Sequence, residues 1–132
     1  MSIQRVNDWI IYGKEALLAL GIAENGTVVK TFRGQISSFG AAVSMGNLKS
    51  AVAFFSEQAG AAVPRQDLLR AICYILHRGA NKNAASLDAR SIQTDQIFDY
   101  VCANDSVQLK NKFLDASIAL KLAMNLFDLV KE

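Results

Sequence analysis

The chain has 132 residues, of which 52% are apolar and 20% are charged, and its formal net charge is +2 at pH 7. This length is typical of one domain with its own core, and the composition excludes an intrinsically disordered chain. One proline and two cysteines supply neither a Pro-rich linker nor a disulfide framework. We therefore expect residues 1–132 to form a single domain.

The first two helices are predicted from apolar residues that recur at steps of three and four. In residues 3–21 this spacing predicts one helix, which the turn sequence Glu24-Asn25-Gly26 ends. A second helix is predicted over residues 28–45. The same pattern continues through most of the chain, so helix is the expected dominant structure.

The end of the second helix has unusually small side chains, in the sequence SSFGAAVSMGN of residues 37–47. Small residues allow another backbone to come close, so something is expected to pack tightly there. Gly46 is predicted to stop the helix, and Asn47 to cap a third helix that runs through Gln58. Because Gly46 turns the third helix back, we expect the small residues to face the bundle interior.

The middle of the chain is predicted to contain two more helices. Pro64 suits the first turn of the fourth helix, which ends near Gly79, because its missing N–H has no partner at that position in any helix. Polar residues predict the longest surface loop over 79–91 and a short helix over 91–104. Asp105, with Gln108 three residues later, is predicted to cap the last helix.

The last helix has the most regular apolar pattern. One seam follows steps of four and three from Leu109 to Val130, and a second apolar stripe runs beside it from Leu114 to Leu129. Such a helix must be covered on two sides, at the centre of a bundle or at a subunit contact. No strand is predicted. The expected fold class is an all-α, single-domain bundle of five to six helices with a long C-terminal helix.

The sequence contains little that suggests catalysis. Cys73 and His77 are four residues apart on one helix, but Cys73 lies in the apolar run AICYIL and is interpreted as a small core residue. Asp95 and Asp99 share a helix face that is expected to be solvated. No phosphate-binding loop, dinucleotide fingerprint or zinc-protease motif occurs. We expect no enzyme, no catalytic residue, no metal and no cofactor.

Charge is distributed unevenly along the chain. Residues 25–86 contain seven lysines and arginines and two acids, whereas residues 87–109 contain four aspartates and one arginine. This spacing suits contacts to a nucleic-acid backbone, which require positive charge but no base-reading geometry. The basic residues predicted to bind RNA are Lys30, Arg33, Lys49, Arg78 and Lys82.

The stretch around Gly46 resembles the small subunit of the type III-B CRISPR effector, the Cmr complex. Residues 36–43 (I-x-S-F-G-A-A-V) are similar to its apolar helix, residues 46–48 to its glycine-leucine break, and residues 51–55 to the helix that follows. The similarity covers about a sixth to a seventh of the chain. One difference is Asn47, which separates the glycine from the leucine.

The resemblance implies a non-catalytic subunit of an RNA-targeting ribonucleoprotein in antiviral defence. Copies of such a subunit stack in a filament beside the other Cmr subunits, which carry the guide RNA, and line the groove that holds the target RNA. The acidic segment 87–109 is then expected to meet a basic patch on the next copy. The small subunit of the related type III-A complex is a further reading.

An alternative is a helical protein-interaction module that dimerises through its last helix and does not bind RNA. The double apolar stripe supports this reading. An enzyme built on Cys73 and His77 is the most distant of the readings. The sequence has no membrane-spanning apolar run and no secretory signal pattern in MSIQRVNDW, so a cytoplasmic location without a membrane partner is expected.

Overall fold

The computed structural model describes residues 2–56, 65–80 and 88–131. Helices dominate these ranges. The α-helices are α1 (Ile3–Ala19), α2 (Lys30–Met45), α3 (Leu48–Phe55), α4 (Arg65–Ala80), α5 (Thr94–Asn104) and α6 (Val107–Met124). The remaining elements are a 3-10 turn (Ala89–Ser91) and the strands β1 (Ala23–Glu24), β2 (Thr27–Val29) and β3 (Asp128–Val130).

The centre of the fold is α6. It packs against α1, α2 and α4, and its residues Phe113, Ala116 and Leu120 are almost completely buried. All the described helices contribute to one apolar core. The predicted all-α, single-domain bundle is therefore confirmed, with α6 at its centre. No helix in the described ranges is both long and apolar enough to cross a membrane.

The helix directions follow from individual contacts. Ser2 contacts Asp115, and Gly13 lies beside Ala123, so α1 runs parallel to α6. In contrast, Arg33 contacts Asn125 while the later residues of α2 approach earlier residues of α6, so α2 runs antiparallel to α6. The central helix is thus enclosed by neighbours of both directions.

A small sheet contradicts the prediction that the chain has no strand. Its order is β1-β2-β3. Strands β1 and β2 pair antiparallel, and strands β2 and β3 pair parallel. Asn25 and Gly26 both have positive φ, 53° and 78°, which is the backbone that a tight hairpin between β1 and β2 requires. Strands of two and three residues are too short to show an alternating pattern in the sequence.

The predicted apolar seam of the last helix is correct only as far as Ala123. The helix ends at Met124, and Asn125 is its C-cap. Phe127 and Val130 fit the heptad spacing, but Val130 lies opposite Val29 in the parallel pair β2–β3. This pairing joins distant parts of the chain, so local periodicity cannot reveal it.

The helix caps were predicted with mixed success. Asn47 Oδ1 accepts a hydrogen bond of 2.8 Å from Ser50 N, which confirms Asn47 as the cap of α3. The prediction that Asp105 caps α6 is wrong by one residue. Ser106 Oγ accepts the bond from Leu109 N at 3.1 Å, while the Asp105 carboxylate lies 3.7 Å from Lys49 Nζ.

Other predicted boundaries shift slightly. The first helix ends at Ala19, α2 starts at Lys30, and α5 starts at Thr94 after the 3-10 turn. Helix α3 ends at Phe55 with Ser56 as its C-cap. Gln58, Pro64 and residues 81–87 of the predicted loop lie outside the described residues.

The small residues at the end of α2 face the bundle interior only in part. A side-chain carbon at Gly40 would lie 3.6 Å from Ser117 Oγ of α6. Ala41, Ala42 and Ser44 are exposed. Gly46 is the C-cap of the helix, as predicted. A side chain there would come within 2.9 Å of the carbonyl oxygen of Ala42, so the position favours glycine.

Candidate nucleic-acid interface

The start of α2 is positively charged. Helix α2 follows directly from β2. Its N-cap residue, Val29, makes no side-chain capping bond, and the first turn of the helix contains no acidic residue. The first turn therefore keeps the positive end of the helix dipole. Lys30 is exposed there and Arg33 is half-buried one turn later. Two of the predicted RNA-binding residues thus lie together.

Strand β3 brings another cation to the same place. Val29 and Val130 are partners in the parallel pair, so Lys131, which is exposed, follows its strand beside Lys30. The acids in this sheet are Glu24 and Asp128, which are both exposed and both pair with Thr27 at the other end of β2. The cations consequently gather where the strands end.

Arg33 connects α2 to the last turn of α6. Its Nε donates a hydrogen bond of 3.1 Å to Asn125 Oδ1, and this contact fixes the guanidinium beside α6. Lys121 lies one turn earlier on α6 and is half-buried. We call Lys30, Arg33, Lys121 and Lys131 the basic cluster.

A groove between α2 and α6 leads away from the basic cluster. Its volume is about 200 Å³. It is lined by Ile36, Ser37, Gly40, Ala41, Ser44, Leu114, Ser117, Ile118 and Lys121. Ser37 and Ser117 donate to carbonyl oxygens in their own helices, at 3.1 and 2.7 Å. The groove wall is therefore neutral, and Lys121 joins it to the positive charge of the cluster.

The structure separates Lys49 from the basic cluster. Lys49 lies near Asp105, just before α6 begins, whereas Arg33 lies at the end of that helix. Helix α6 has 18 residues, so the two positions are roughly 27 Å apart along its axis. A partly exposed carboxylate also offsets the charge of Lys49.

Arg78 is in a different environment again. Its Nε lies 3.1 Å from Glu15 Oε1, and its guanidinium lies 4.7 Å from the Tyr12 ring centroid. The side chain is only 12% exposed. Its positive charge is therefore paired with groups of α1, and Arg78 does not belong to the basic cluster. Lys82 lies outside the described residues.

The Cys73–His77 pair shows no sign of an activated nucleophile. Burial raises the pKa of the Cys73 thiol to about 12, so the thiol is protonated at neutral pH, whereas a nucleophile needs the thiolate. The second cysteine, Cys102, is exposed on α5. Within the ranges that the structure describes, no three His, Cys, Asp or Glu side chains are grouped to hold a metal ion.

The aspartates of the acidic segment have different surroundings. Asp88 Oδ1 accepts a hydrogen bond of 3.0 Å from Arg90 N and caps the 3-10 turn, and Asp105 faces Lys49. Asp95 and Asp99 are exposed on α5, as their spacing predicted. Asp95 Oδ1 also accepts a hydrogen bond of 3.0 Å from Gln96 N, so three of the four acids make contacts inside the chain.

Sequence reasoning missed Lys121 and Lys131. Lys121 lies within an apolar helix, and Lys131 follows a strand that was predicted to be helix. Only the Arg33–Asn125 contact and the β2–β3 register place them beside Lys30. The sequence held no clear charge signal for them, since residues 110–132 contain four lysines and three acids.

No family model, curated protein or solved structure matches this chain. The similarity to the Cmr small subunit therefore stays a prediction from residues 36–55.

Proposed function

We propose that this protein is a non-catalytic helical subunit that binds the sugar-phosphate backbone of single-stranded RNA along the α2–α6 groove. The observation that carries the proposal is the basic cluster: two cations of α2, one of α6 and one that follows β3 lie toward one end of a groove whose other lining residues are uncharged. Phosphates are the ligands that clustered lysines and arginines recognise without base-specific geometry.

The aromatic residues favour backbone contacts over base stacking. Phe32 and Phe39 of α2 point into the core and are buried, so they offer no ring face to a nucleobase. Proteins that stack bases expose such rings next to their basic residues. The groove is accordingly expected to bind RNA with little sequence preference.

The resemblance at residues 36–55 suggests the assembly in which this binding would occur. We propose that this chain is the small subunit of the type III-B CRISPR complex. Copies of the chain would then stack along the target RNA in the cytoplasm. The exposed Asp95 and Asp99 are then candidates for a contact with the basic cluster of the next copy. A head-to-tail contact of this kind produces open filaments.

The first test measures the affinity for a labelled single-stranded RNA across a salt series. Four phosphate contacts predict that log K falls with log salt at a slope of about −3. In the double variant Lys30→Gln/Lys121→Gln, two contacts are lost, so the slope should become shallower by about 1.4.

The matched control is Lys14→Gln/Lys49→Gln. It removes the same charge from two lysines that are exposed and lie outside the groove, so it should retain the wild-type slope. Equal losses in both double variants would show that general charge, and not the groove, binds RNA. Binding that does not depend on salt would contradict the proposal.

The dimerisation module is the second candidate function. Leu122, in the last turn of α6, and Leu126, just after the helix ends, are exposed. These two residues of the predicted second stripe could contact a partner. Phe113, Ala116 and Leu120 of α6 are instead covered by α1, α2 and α4. A dimer whose dissociation constant rises at least tenfold in Leu122→Lys/Leu126→Lys, together with no RNA binding, would favour this function.

A further inference from the structure

A larger cleft lies on the other side of α6, between α1, α4, α5 and α6. Its volume is about 500 Å³, within the range of small-molecule sites. It is lined by Arg5, Trp9, Leu76, His77, Gly79, Ala80, Tyr100, Leu109 and Lys112. None of these residues is acidic.

The cleft is distinct from the proposed RNA groove. Lys112 lines the cleft and Lys121 lines the groove. The two lysines are nine residues apart on α6, which places them about 180° apart around the helix. A ligand in the cleft would therefore not touch the groove, and the inference does not rest on the proposed function.

A buried carboxylate fixes the cation at one wall of the cleft. Arg5 Nε donates to Asp115 Oδ2 at 2.8 Å, and Arg5 Nη2 lies 2.5 Å from the same oxygen. The Asp115 side chain is fully buried, while that of Arg5 is 31% exposed. The positive group of the pair is thus the one that faces the cleft, and its position is set before a ligand binds.

Aromatic rings form further parts of the lining. Trp9 is almost buried, and the Arg5 guanidinium lies 5.5 Å from its ring centroid. Gly79 permits this arrangement, because a side chain there would come within 2.5 Å of Trp9 Nε1. Tyr100 is 56% exposed, so its ring offers a face on which a planar group can stack.

The positive side chains and the ring define the chemistry of a ligand. Lys112 supplies the positive charge that attracts an anion. Arg5 Nε and Nη2 are taken up by Asp115, so the guanidinium offers Nη1 as a further donor for phosphate or carboxylate oxygens. Tyr100 favours a planar ring beside that anion. Asp8 lines a smaller cavity that also borders Arg5, Trp9 and Gly79, and it does not line the cleft.

We propose that this cleft binds a ligand of the nucleoside monophosphate class, with its phosphate at Arg5 and Lys112 and its base on Tyr100. The same chemistry is present in a free nucleotide and in the phosphorylated end of a short RNA. The chain's only tryptophan, Trp9, lines the cleft, so its fluorescence and its single indole N–H resonance report binding directly.

The test titrates the wild-type chain with adenosine monophosphate, adenosine and inorganic phosphate, with selective tryptophan excitation and a free-tryptophan blank. A saturable change with adenosine monophosphate is expected, at an affinity at least tenfold above that for adenosine or phosphate alone. A 5′-phosphorylated dinucleotide distinguishes the two sources: its tighter binding supports an RNA end as the ligand, and weaker binding supports a free nucleotide.

Matched variants locate the site. Lys112 is exposed, so Lys112→Gln should leave the fold intact and weaken binding at least tenfold. Tyr100→Leu should weaken the binding of adenosine monophosphate but not that of phosphate. Lys121→Gln, on the opposite side of α6, should bind as the wild type does. No saturable change at Trp9, or equal effects of Lys112→Gln and Lys121→Gln, would overturn the proposal.

Discussion

The two sides of α6 receive helices that both contain glycine, yet they pack differently. Toward α1 the fit is tight: a side-chain carbon at Gly13 would lie 3.1 Å from Ala123 Cβ and 3.4 Å from the carbonyl oxygen of Ala119. Toward α2 the fit is looser: the corresponding atom at Gly40 would lie 3.6 Å from Ser117 Oγ. The packing around Gly13 is therefore closed, and the packing around Gly40 leaves a groove.

The difference shows that a glycine produces close packing only where the facing helix is also small. Gly13 and Ala16 of α1 are buried, and α6 presents alanines to α1. On the α2 side, Leu114 and Ile118 line the groove together with Gly40 and Ser44. Larger side chains there hold the helices apart, so the small residues of α2 widen a groove instead of closing a contact.

The largest expected effect is on the α1 side of α6, in Arg5→Ala. This change leaves the fully buried Asp115 carboxylate without its charge partner, a defect that typically costs about 3 kcal/mol of unfolding free energy. Urea denaturation measures it. The double variant Arg5→Ala/Asp115→Ala removes both charges and should be more stable than Arg5→Ala alone. A loss in Arg5→Ala below about 1 kcal/mol would show that the pair is weakly coupled.

For Gly13→Ala, we expect a smaller loss of unfolding free energy than for Arg5→Ala. Alanine gains about 1 kcal/mol over glycine in a helix, but here it must displace Ala123 and the backbone of α6, and overpacking of this kind costs about 1–3 kcal/mol. We expect a net loss of about 1 kcal/mol from these opposing terms. A gain in stability in the same denaturation experiment would mean that α1 can move away from α6 at little cost.

A gain in the free energy of unfolding is expected for Gly40→Ala, which is the matched change on the groove side. Its new carbon would meet Ser117 Oγ at an ordinary contact distance, so the helix propensity of alanine dominates and stability should rise by about 0.5 kcal/mol. The midpoint of urea unfolding should increase without a change in slope. A loss equal to that of Gly13→Ala would remove the distinction between the two sides.

Much of the helical fold could be predicted from the sequence, because its signals are local. The spacing of apolar residues located the helices, and Gly46 and Asn47 marked the break between α2 and α3. The strands could not be predicted, since the β2–β3 pair depends on Val29 meeting Val130. The N-cap of α6 was misplaced because Asp105 and Ser106 are both good caps, and only the fold turns Asp105 toward Lys49.

The candidate sites were harder to predict, for the same reason. Lys30 and Arg33 lie one turn apart, so their proximity was visible in the sequence. The partners of Lys49 and Arg78 were not, since Asp105 and Glu15 come from other parts of the chain. The cleft beside Trp9 left no signal either, because its lining residues come from four different helices.

The parallel pairing of β3 with β2 also has a kinetic consequence. Its partners, such as Thr27 and Asp128, are roughly one hundred residues apart, and contacts of such sequence separation form slowly because a long loop must first be closed. We therefore expect the β2–β3 pair to form late in folding, after the local helices. A partly folded chain would then lack Lys131 beside Lys30 and would present a smaller positive surface to an RNA strand.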